Sequence, residues 1–145
     1  MDANLENWMR KLEEAARGTF WDDLRCRLAK AEPGLVVVSL LAERRHLNGI
    51  GLLHGGVHAS LLDSAMGIVA MIARPGDSVV TTNMNIHYLT PLGLGPITVT
   101  AELVHESRKT VTARGRVEDG EGRLGSWGSA SFRVVGGEAP AVRPS

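Results

Sequence analysis

The pattern of apolar and polar residues along the 145-residue chain changes in character near residue 76. Before that point the longest apolar stretch runs from Val57 to Ala73, and Asp63 is its only formally charged residue. The stretch is long enough for a helix and apolar on all sides, so it predicts a buried helix over residues 54–73. A buried carboxylate is unfavourable unless it is hydrogen-bonded or used in chemistry, which makes Asp63 the first candidate for function.

Shorter segments precede this helix. Apolar residues at helical spacing predict an N-terminal helix within residues 1–18, with Gly18 as its stop signal. A second amphipathic turn or two is predicted from Phe20 to Leu28, before a Pro-Gly pair. The β-branched run at residues 35–41 then predicts a strand.

After residue 76 the chain is rich in Val, Thr, Ile and aromatic residues, in runs separated by turn residues. Four strands are predicted, over residues 78–89, 97–106, 110–117 and 123–135. The sequence Asp119-Gly120-Glu121-Gly122 predicts a hairpin, because Asp-Gly supplies the positive φ angles of a tight turn. Hairpins join antiparallel strands, and the apolar helix needs a sheet to bury it, so the fold class is predicted as α+β. Residues 137–145 are predicted to form a flexible tail.

Composition narrows the class of protein. Sixteen basic and sixteen acidic residues cancel, so net charge suggests no nucleic-acid or membrane partner. Cys26 is the only cysteine, which excludes an intramolecular disulfide and a cysteine metal cluster and fits a reducing compartment. The N-terminus has no signal-peptide pattern, and the longest uninterrupted apolar run falls short of a membrane span. We therefore expect one domain in a cytoplasmic protein.

Asn48, His54-Gly55-Gly56 and Asp63 precede a strand that ends in Tyr88-Leu89-Thr90-Pro91. In this order and spacing, over roughly residues 20–135, they resemble the hotdog fold, and within it the PaaI-type acyl-CoA thioesterases. The resemblance implies a long central helix wrapped by an antiparallel sheet, in a domain at residues 19–136. It also implies a homodimer or a homotetramer and hydrolysis of an acyl-CoA to a free acid and coenzyme A.

The residues support such a mechanism without the family name. Gly55 and Gly56 lack Cβ atoms, so a ligand can approach their N–H groups at the helix start. These N–H groups and the helix dipole favour the negative charge that an attacked carbonyl oxygen develops. Asp63 lies about 12 Å further along the helix axis, at ~1.5 Å per residue. If both groups serve one reaction, Asp63 must come from a second subunit, as a symmetric dimer allows.

The resemblance implies roles for further residues. Asp63 acts as general base or as nucleophile, Thr81 helps to position the water, and Asn48 lies near the thioester and holds the His-Gly-Gly turn. His54 either orients the loop or takes part in acid–base chemistry. Substrate contacts are expected from Gly56, Leu62, Met66, Met84, Arg108 and Lys109, with Leu61 and Trp127 as further candidates for the acyl pocket. Arg108 and Lys109 would meet coenzyme A phosphates. No metal or redox cofactor is expected.

Alternatives stay open at this point. Asp63 can be a structural helix residue, Thr81 ordinary strand composition, and Arg108 and Lys109 a solvated hairpin end. His54 and His58 have the spacing of a helical zinc site, yet no Glu lies between them and no third ligand is suggested. A non-catalytic acyl-CoA sensor and a hotdog dehydratase or hydratase are the competing functions. The acyl group can be aryl or medium-chain aliphatic.

Overall fold

A computed structural model describes residues 3–136 of the chain, so the predicted tail at 137–145 lies outside the described residues. Three helices are present: α1 (Ala3–Ala15), α2 (Phe20–Asp23) and α3 (Gly55–Ala73). The six strands are β1 (Arg27–Glu32), β2 (Leu35–Ala42), β3 (Ser78–Tyr88), β4 (Gly95–Glu106), β5 (Thr110–Asp119) and β6 (Leu124–Val135). A short 3-10 turn, Arg44–His46, lies between β2 and α3.

The six strands form one antiparallel sheet in the order β1-β2-β4-β5-β6-β3. Helix α3 packs across one face of this sheet, and α1 packs at the β1 end. The inward positions of β2, β4, β5 and β6 are mostly small or β-branched residues, with Leu40 and Phe132 among the larger ones, which lets the helix approach the strands closely. The predicted α+β class, with one long helix on an antiparallel sheet, is confirmed.

Helix α3 is less completely covered than its composition predicts. Leu61, Leu62 and Met66 have no exposed surface, whereas Asp63 and Ser64 are only partly buried in the single chain. The expectation of burial on all sides is therefore wrong for one face of the helix. By length and a hydropathy of 1.5 the helix could cross a membrane, contrary to the sequence expectation, yet 56% of that window is buried inside the protein. That burial is typical of a core helix.

Strand β3 forms one edge of the sheet, with β6 as its only neighbour among the described strands. Its register on β6 shifts between Thr81 and Asn83, which marks a β-bulge. Val79 and Thr81 lie on the helix side before the bulge, and Met84 and Tyr88 lie there after it. A regular strand could not place odd and even positions on one face, so the bulge keeps both segments turned toward α3.

Two local predictions need correction. The amphipathic segment from Phe20 to Leu28 is helical only at Phe20–Asp23. Arg25 has a positive φ of 62°, and the chain then enters β1, an edge strand that was not predicted. Its sequence is half charged, and only Leu28 and Ala31 are buried, so the alternation of a strand is weak.

The hairpin between β5 and β6 is confirmed, but its positive φ of 79° falls at Gly122 rather than at Gly120. The Asp119 carboxylate accepts the N–H groups of Glu121 and Arg123, at 3.0 and 2.9 Å. These backbone hydrogen bonds, that from Arg123 first, lower the pKa of Asp119 below its ordinary value. The turn is therefore held by the side chain of its first residue as well as by glycine.

Candidate active site

Asp63 and Thr81 meet across the gap between α3 and the edge strand. The Thr81 hydroxyl donates to Asp63 Oδ1 at 2.8 Å, although the two residues are 18 positions apart. No residue between 3 and 136 donates a hydrogen bond to the second oxygen, Oδ2. The carboxylate is thus fixed through one oxygen, while its other oxygen is open to a ligand or a water molecule.

The start of α3 is held by His54. The Gly56 N–H donates to His54 Nδ1 at 2.8 Å, so His54 is the N-cap residue of the helix and Nδ1 carries no proton. A Cβ on Gly56 would lie 3.0 Å from this nitrogen, which explains the glycine. The expectation that the Gly56 N–H is open to a ligand is therefore wrong.

The Gly55 N–H has no acceptor among the residues that the structure describes. A donor left without a partner at a helix N-terminus sits at the positive end of the helix dipole. Of the two glycine amides predicted to face the substrate, the Gly55 amide is the one that stays available.

Asn48 organises the loop that leads to the helix. Its Oδ1 accepts the N–H groups of Ile50 and Leu52, at 3.1 and 3.0 Å, and its own N–H donates to the Leu52 carbonyl at 2.7 Å. Its side-chain NH₂ group has no acceptor within residues 3–136. The structure thus places Asn48 as a loop residue with its orientation fixed and with two N–H donors unused.

Tyr88 connects the end of β3 to the helix start. Its hydroxyl donates to the Gly55 carbonyl at 2.7 Å, and its ring lies edge-on to the His58 ring at 5.4 Å. His58 is 3% exposed and lies 2.6 Å, Nδ1 to Oγ, from Ser126. Burial lowers the pKa of His58, so the ring is neutral at physiological pH.

Sequence reasoning singled out Tyr88 only as part of a motif and did not find the His58–Ser126 pair. The reason is physical, because Ser126 lies 68 residues away and only the sheet brings it to the helix. In the part of the chain that the structure describes, no group of three or more His, Cys, Asp or Glu side chains could hold a metal ion.

Several predicted pocket residues lie elsewhere. Leu62 and Met66 have no exposed surface and pack on Gly115 of β5, so their prediction as substrate contacts is wrong for this chain alone. Leu61 is equally buried. Trp127 stacks on His87 at 4.8 Å, and both lie on the sheet face that points away from α3. Met84 lies on the helix side and is partly buried against the core.

Arg108 and Lys109 are exposed in the β4–β5 turn, at the C-terminal end of α3. Arg74 holds this turn to the helix through the carbonyls of Ser107 and of Arg108, the latter at 3.0 Å. Neither Arg108 nor Lys109 has a side-chain partner among the described residues. They are thus free to meet an anionic ligand, at the end of the helix opposite Gly55.

Comparison with known proteins places this arrangement in a family. Residues 50–126 match the family model described as the thioesterase superfamily. The chain is 35% identical over 82 residues to acyl-coenzyme A thioesterase 13 of Homo sapiens, which covers 56% of this chain and 59% of that protein. It thus spans little more than half the length of the curated relatives that it matches most strongly.

Solved structures show the same fold. Zebra fish thioesterase superfamily member 2 superposes with a TM-score of 0.81 at 26% identity, over 90% of this chain and 98% of that one. The E. coli PaaI protein from the phenylacetic acid degradation operon gives a TM-score of 0.82 at 21% identity, over 90% and 94%. At that lower identity the likeness concerns the fold alone.

The family match covers more than half of the chain and includes His54, Gly55, Asp63, Thr81 and Tyr88. The surrounding six-stranded antiparallel sheet and single long helix are those of hotdog thioesterase structures. The chain belongs to the thioesterase superfamily and has the hotdog fold seen in the PaaI structure.

Proposed function

We propose that the protein hydrolyses an acyl-CoA thioester to a carboxylic acid and coenzyme A in a homodimer. The observation that carries the proposal is the open carboxylate oxygen of Asp63, on a face of α3 that the single chain leaves partly uncovered. The name of the human relative supports acyl-CoA as the substrate. Within the superfamily, this geometry favours thioester hydrolysis over binding alone, because the open oxygen can take a proton from water or attack a carbonyl carbon.

The Gly55 N–H polarises the thioester carbonyl. It has no acceptor within the described chain, and it lies at the N-terminus of a 19-residue helix. A negative charge that develops on the carbonyl oxygen is stabilised there by the amide and by the helix dipole. The free NH₂ group of Asn48 supplies a second donor on the loop that leads to this amide.

Asp63 supplies the attack on the carbonyl carbon. In one route its carboxylate takes a proton from water, and the hydroxide oxygen bonds to the carbon; in the other the carboxylate itself attacks and forms an anhydride that water then opens. In the first route the C–S bond of the tetrahedral intermediate breaks, and the coenzyme A thiolate takes up the proton held by Asp63. In the second route the C–S bond breaks as the anhydride forms, and the thiolate takes up a proton that is released when water opens the anhydride. Thr81 holds the carboxylate in place through Oδ1.

The two groups must come from different subunits. Eight residues of α3 separate Gly55 from Asp63, which is about 12 Å along the axis and too far for one carbonyl group. Edge strand β3 and the uncovered face of α3 offer a surface for a second copy, since an edge strand carries unpaired backbone groups. A two-fold axis then brings Asp63 of each chain to Gly55 of the other and creates two equivalent sites.

The reaction is tested by thiol release from a panel of acyl-CoA thioesters, with the wild type beside Asp63→Asn. Asn keeps the size of the side chain and can still accept from Thr81, so the variant folds. We expect a fall in kcat of at least about a hundredfold, the size of effect that loss of an essential group produces. Unchanged activity in Asp63→Asn would remove Asp63 from the mechanism.

Other outcomes separate the competing functions. Tight acyl-CoA binding without thiol release from any thioester would favour a sensor, and hydration of an enoyl-CoA without thiol release would favour a hydratase. After a single turnover in ¹⁸O-labelled water, a label on the Asp63 side chain indicates the anhydride route with water attack at the Asp63 carbonyl. A label in the free acid alone is expected from the general-base route and from water attack at the acyl carbonyl.

Mixing two inactive variants, Asp63→Asn and Gly55→Pro, tests whether each site is built from two chains. Gly55→Pro removes the N–H donor at the first helical position, where proline is tolerated, and His54 already has the extended backbone (φ −61°, ψ 136°) that precedes proline. Gly55→Ala, which keeps the N–H, is the matched control, since its Cβ would make only ordinary contacts with Tyr88.

Mixed dimers of Asp63→Asn and Gly55→Pro contain one intact site, built from the unchanged Gly55 of one chain and the unchanged Asp63 of the other. Random mixing should therefore restore about a quarter of the wild-type activity, whereas each variant alone is inactive. If the mixture stays inactive although mixed dimers form, the two residues act within one chain and the proposed assembly is wrong. The cytoplasmic location and the lack of a cofactor requirement stay predictions from the sequence.

A further inference from the structure

The loop before helix α3 is closed by a narrow neck, which consists of His46, Leu47, Leu53 and His54. Leu47 and Leu53 form an antiparallel bridge. One residue further out on each side, the His54 N–H donates to the His46 carbonyl at 2.9 Å. Residues 48–52 form the short loop that this neck closes, so a movement of the neck displaces the loop with it.

Both donors that we assign to the thioester carbonyl are attached to this neck. The Gly55 N–H belongs to the same peptide group as the His54 carbonyl, and Asn48 directly follows Leu47. Donors that stabilise a developing oxyanion must lie within hydrogen-bond distance of the position where the charge forms. Because a displacement of about 1 Å in a reacting geometry can lower a rate about a hundredfold, the position of the neck matters for the proposed reaction.

The His46 side chain holds the neck from inside the protein, since this residue is only 1% exposed. Its Nδ1 accepts the Glu43 N–H at 2.9 Å, so Nδ1 carries no proton. Its Nε2 lies 2.8 Å from the Leu24 carbonyl, and because a carbonyl oxygen only accepts, Nε2 carries the proton and donates it. These two bonds fix the tautomer and the orientation of a neutral ring.

The two bonds of the ring differ in reach. Glu43 lies three residues away in the same turn, and its side chain accepts the His46 N–H in return, which makes a capping box. Leu24 lies 22 residues away as the C-cap residue of α2, and it packs against the hydrophobic core. The bond to Glu43 therefore shapes the turn, whereas the bond to Leu24 attaches the turn to the body of the domain.

On its other side the neck is held by the backbone. The Leu53 N–H donates to the Leu92 carbonyl at 2.8 Å, in the segment that joins β3 to β4. His54 in turn caps the N-terminus of α3 with its side chain. A continuous path of hydrogen-bonded residues thus runs from Leu24 through His46 and His54 to the start of the helix.

We propose that His46 is a positioning residue of the carbonyl-binding site. Its ring fixes the neck to the C-terminal end of α2, and the neck sets the positions of the Gly55 N–H and the Asn48 amide. His46 acts through His54 and takes no direct part in the reaction. The inference rests on the proposed thioesterase function for its effect on rate, whereas the effect on the neck is independent of any substrate.

Three substitutions of His46 separate the two bonds of its ring. His46→Leu removes both, His46→Asn keeps an acceptor near Nδ1 for Glu43, and His46→Gln keeps a donor near Nε2 for Leu24. We expect kcat to fall about a hundredfold in the Leu variant, about tenfold in the Asn variant and about threefold in the Gln variant. KM should stay within about threefold, because an oxyanion donor acts on the transition state more than on bound substrate. A Gln variant as impaired as the Leu variant would contradict the proposal.

A matched control distinguishes positioning from a loss of stability. Asp119→Ala also removes two hydrogen bonds, those that the carboxylate accepts in the β5–β6 turn, outside the candidate site. Measured well below the melting temperature of either variant, Asp119→Ala should keep kcat within about twofold of the wild type, while His46→Leu shows the expected loss. If kcat falls in both variants in proportion to the lost free energy of unfolding, His46 is a structural residue only and the proposal is wrong.

Amide hydrogen exchange, followed by NMR, reports on the neck directly and needs no substrate. The Leu62 N–H, in the buried middle of α3, serves as the reference for global unfolding. In His46→Leu the exchange of the His54 N–H should accelerate at least about tenfold more than that of Leu62, because the carbonyl that it binds has lost its anchor. An acceleration no larger at His54 than at Leu62 would overturn the proposal.

Failure of this inference and failure of the proposed function give different results. If the wild type hydrolyses no acyl-CoA, the thioesterase proposal fails, and exchange at His54 still decides whether His46 fixes the neck. If the wild type is active and exchange at His54 accelerates in His46→Leu without a change in kcat, the neck does not control the site and this inference alone is wrong. Faster exchange together with a lower kcat, partly restored in His46→Gln, is the result that we expect.

Discussion

The two sides of helix α3 differ in composition and in surroundings. Toward the sheet, Leu61, Leu62 and Met66 are fully buried against close-packed strands. Away from the sheet centre, Asp63 and Ser64 are partly buried. One oxygen of the Asp63 carboxylate is open, and Ser64 lines an apolar crevice. One helix can therefore stabilise the domain through the side chains that face the sheet and supply the proposed catalytic carboxylate from another side.

The largest expected effect concerns the stability of the sheet-facing side. Leu62→Ala removes a side chain packed on Gly115, and we expect a loss of about 2–5 kcal/mol in the free energy of unfolding. Ser64→Ala, two residues away on the other face, should change it by only about 0.5 kcal/mol. Chemical denaturation at one fixed protein concentration measures both, and equal losses would contradict the division between the faces.

The second prediction concerns the anchor of the carboxylate. Thr81→Val keeps the shape of the side chain but removes the donor to Asp63 Oδ1, so we expect kcat to fall about tenfold, or about 1.4 kcal/mol. Thr81→Ser keeps the hydroxyl and should retain most of the activity. Steady-state kinetics with one acyl-CoA decide the matter, and a Val variant as active as the Ser variant would leave Thr81 without a role in the reaction.

A smaller effect is expected at the start of the helix. Tyr88→Phe removes the hydrogen bond to the Gly55 carbonyl, which belongs to the same peptide group as the Gly56 N–H that His54 caps. A neutral hydrogen bond contributes about 1 kcal/mol, so we expect kcat/KM to fall about fivefold while the melting temperature changes little. Because the ring remains in contact with His58, a large loss of stability instead would make Tyr88 a structural residue only.

The smallest predicted effect is a dependence of stability on pH. Burial holds the pKa of His58 below its ordinary value of 6.5, so the unfolded chain binds a proton more readily than the folded one. The contribution of His58 to the free energy of unfolding should therefore be complete above pH 6.5. It should fall as the pH drops from 6.5 toward the lowered pKa of the folded state. Comparison with His58→Gln isolates this contribution, and equal pH dependence in both proteins would contradict it.

The sequence predicts the strands better than the direction of side chains. Strands β2 to β5 are rich in β-branched residues, β6 carries Trp127, Phe132 and two valines, and all five are bounded by turn signals, so their positions follow from local chemistry. Strand β1, with the sequence RLAKAE, has helix-forming residues and becomes a strand only by pairing with β2. The position of β1 therefore depends on tertiary structure and could not be predicted from the sequence of the segment.

In the candidate site, too, local sequence determines some features and tertiary structure determines others. The spacing of Asn48, His54-Gly55-Gly56 and Asp63 locates the helix start and the carboxylate. The hydrogen bond from Thr81 to Asp63 is seen only in the structure, and the role of Thr81 in positioning water stays a prediction. Leu62 and Met66 were misplaced, because an all-round apolar helix gives no indication of which side faces the sheet. The spacing also does not show that the His54 side chain, rather than a ligand, accepts the Gly56 N–H, because this depends on the orientation of the His54 ring.

The bulge in β3 divides the contacts between this strand and α3 into two sets. Before it, Thr81 is tied to the carboxylate in the middle of the helix; after it, Tyr88 is tied to the peptide at the helix start. Deletion of Thr82 would rotate one half away from the helix while the other kept its bond. We therefore expect substitutions before Thr82 to act on the proposed nucleophile and substitutions after it to act on the proposed oxyanion site, although both lie on one strand.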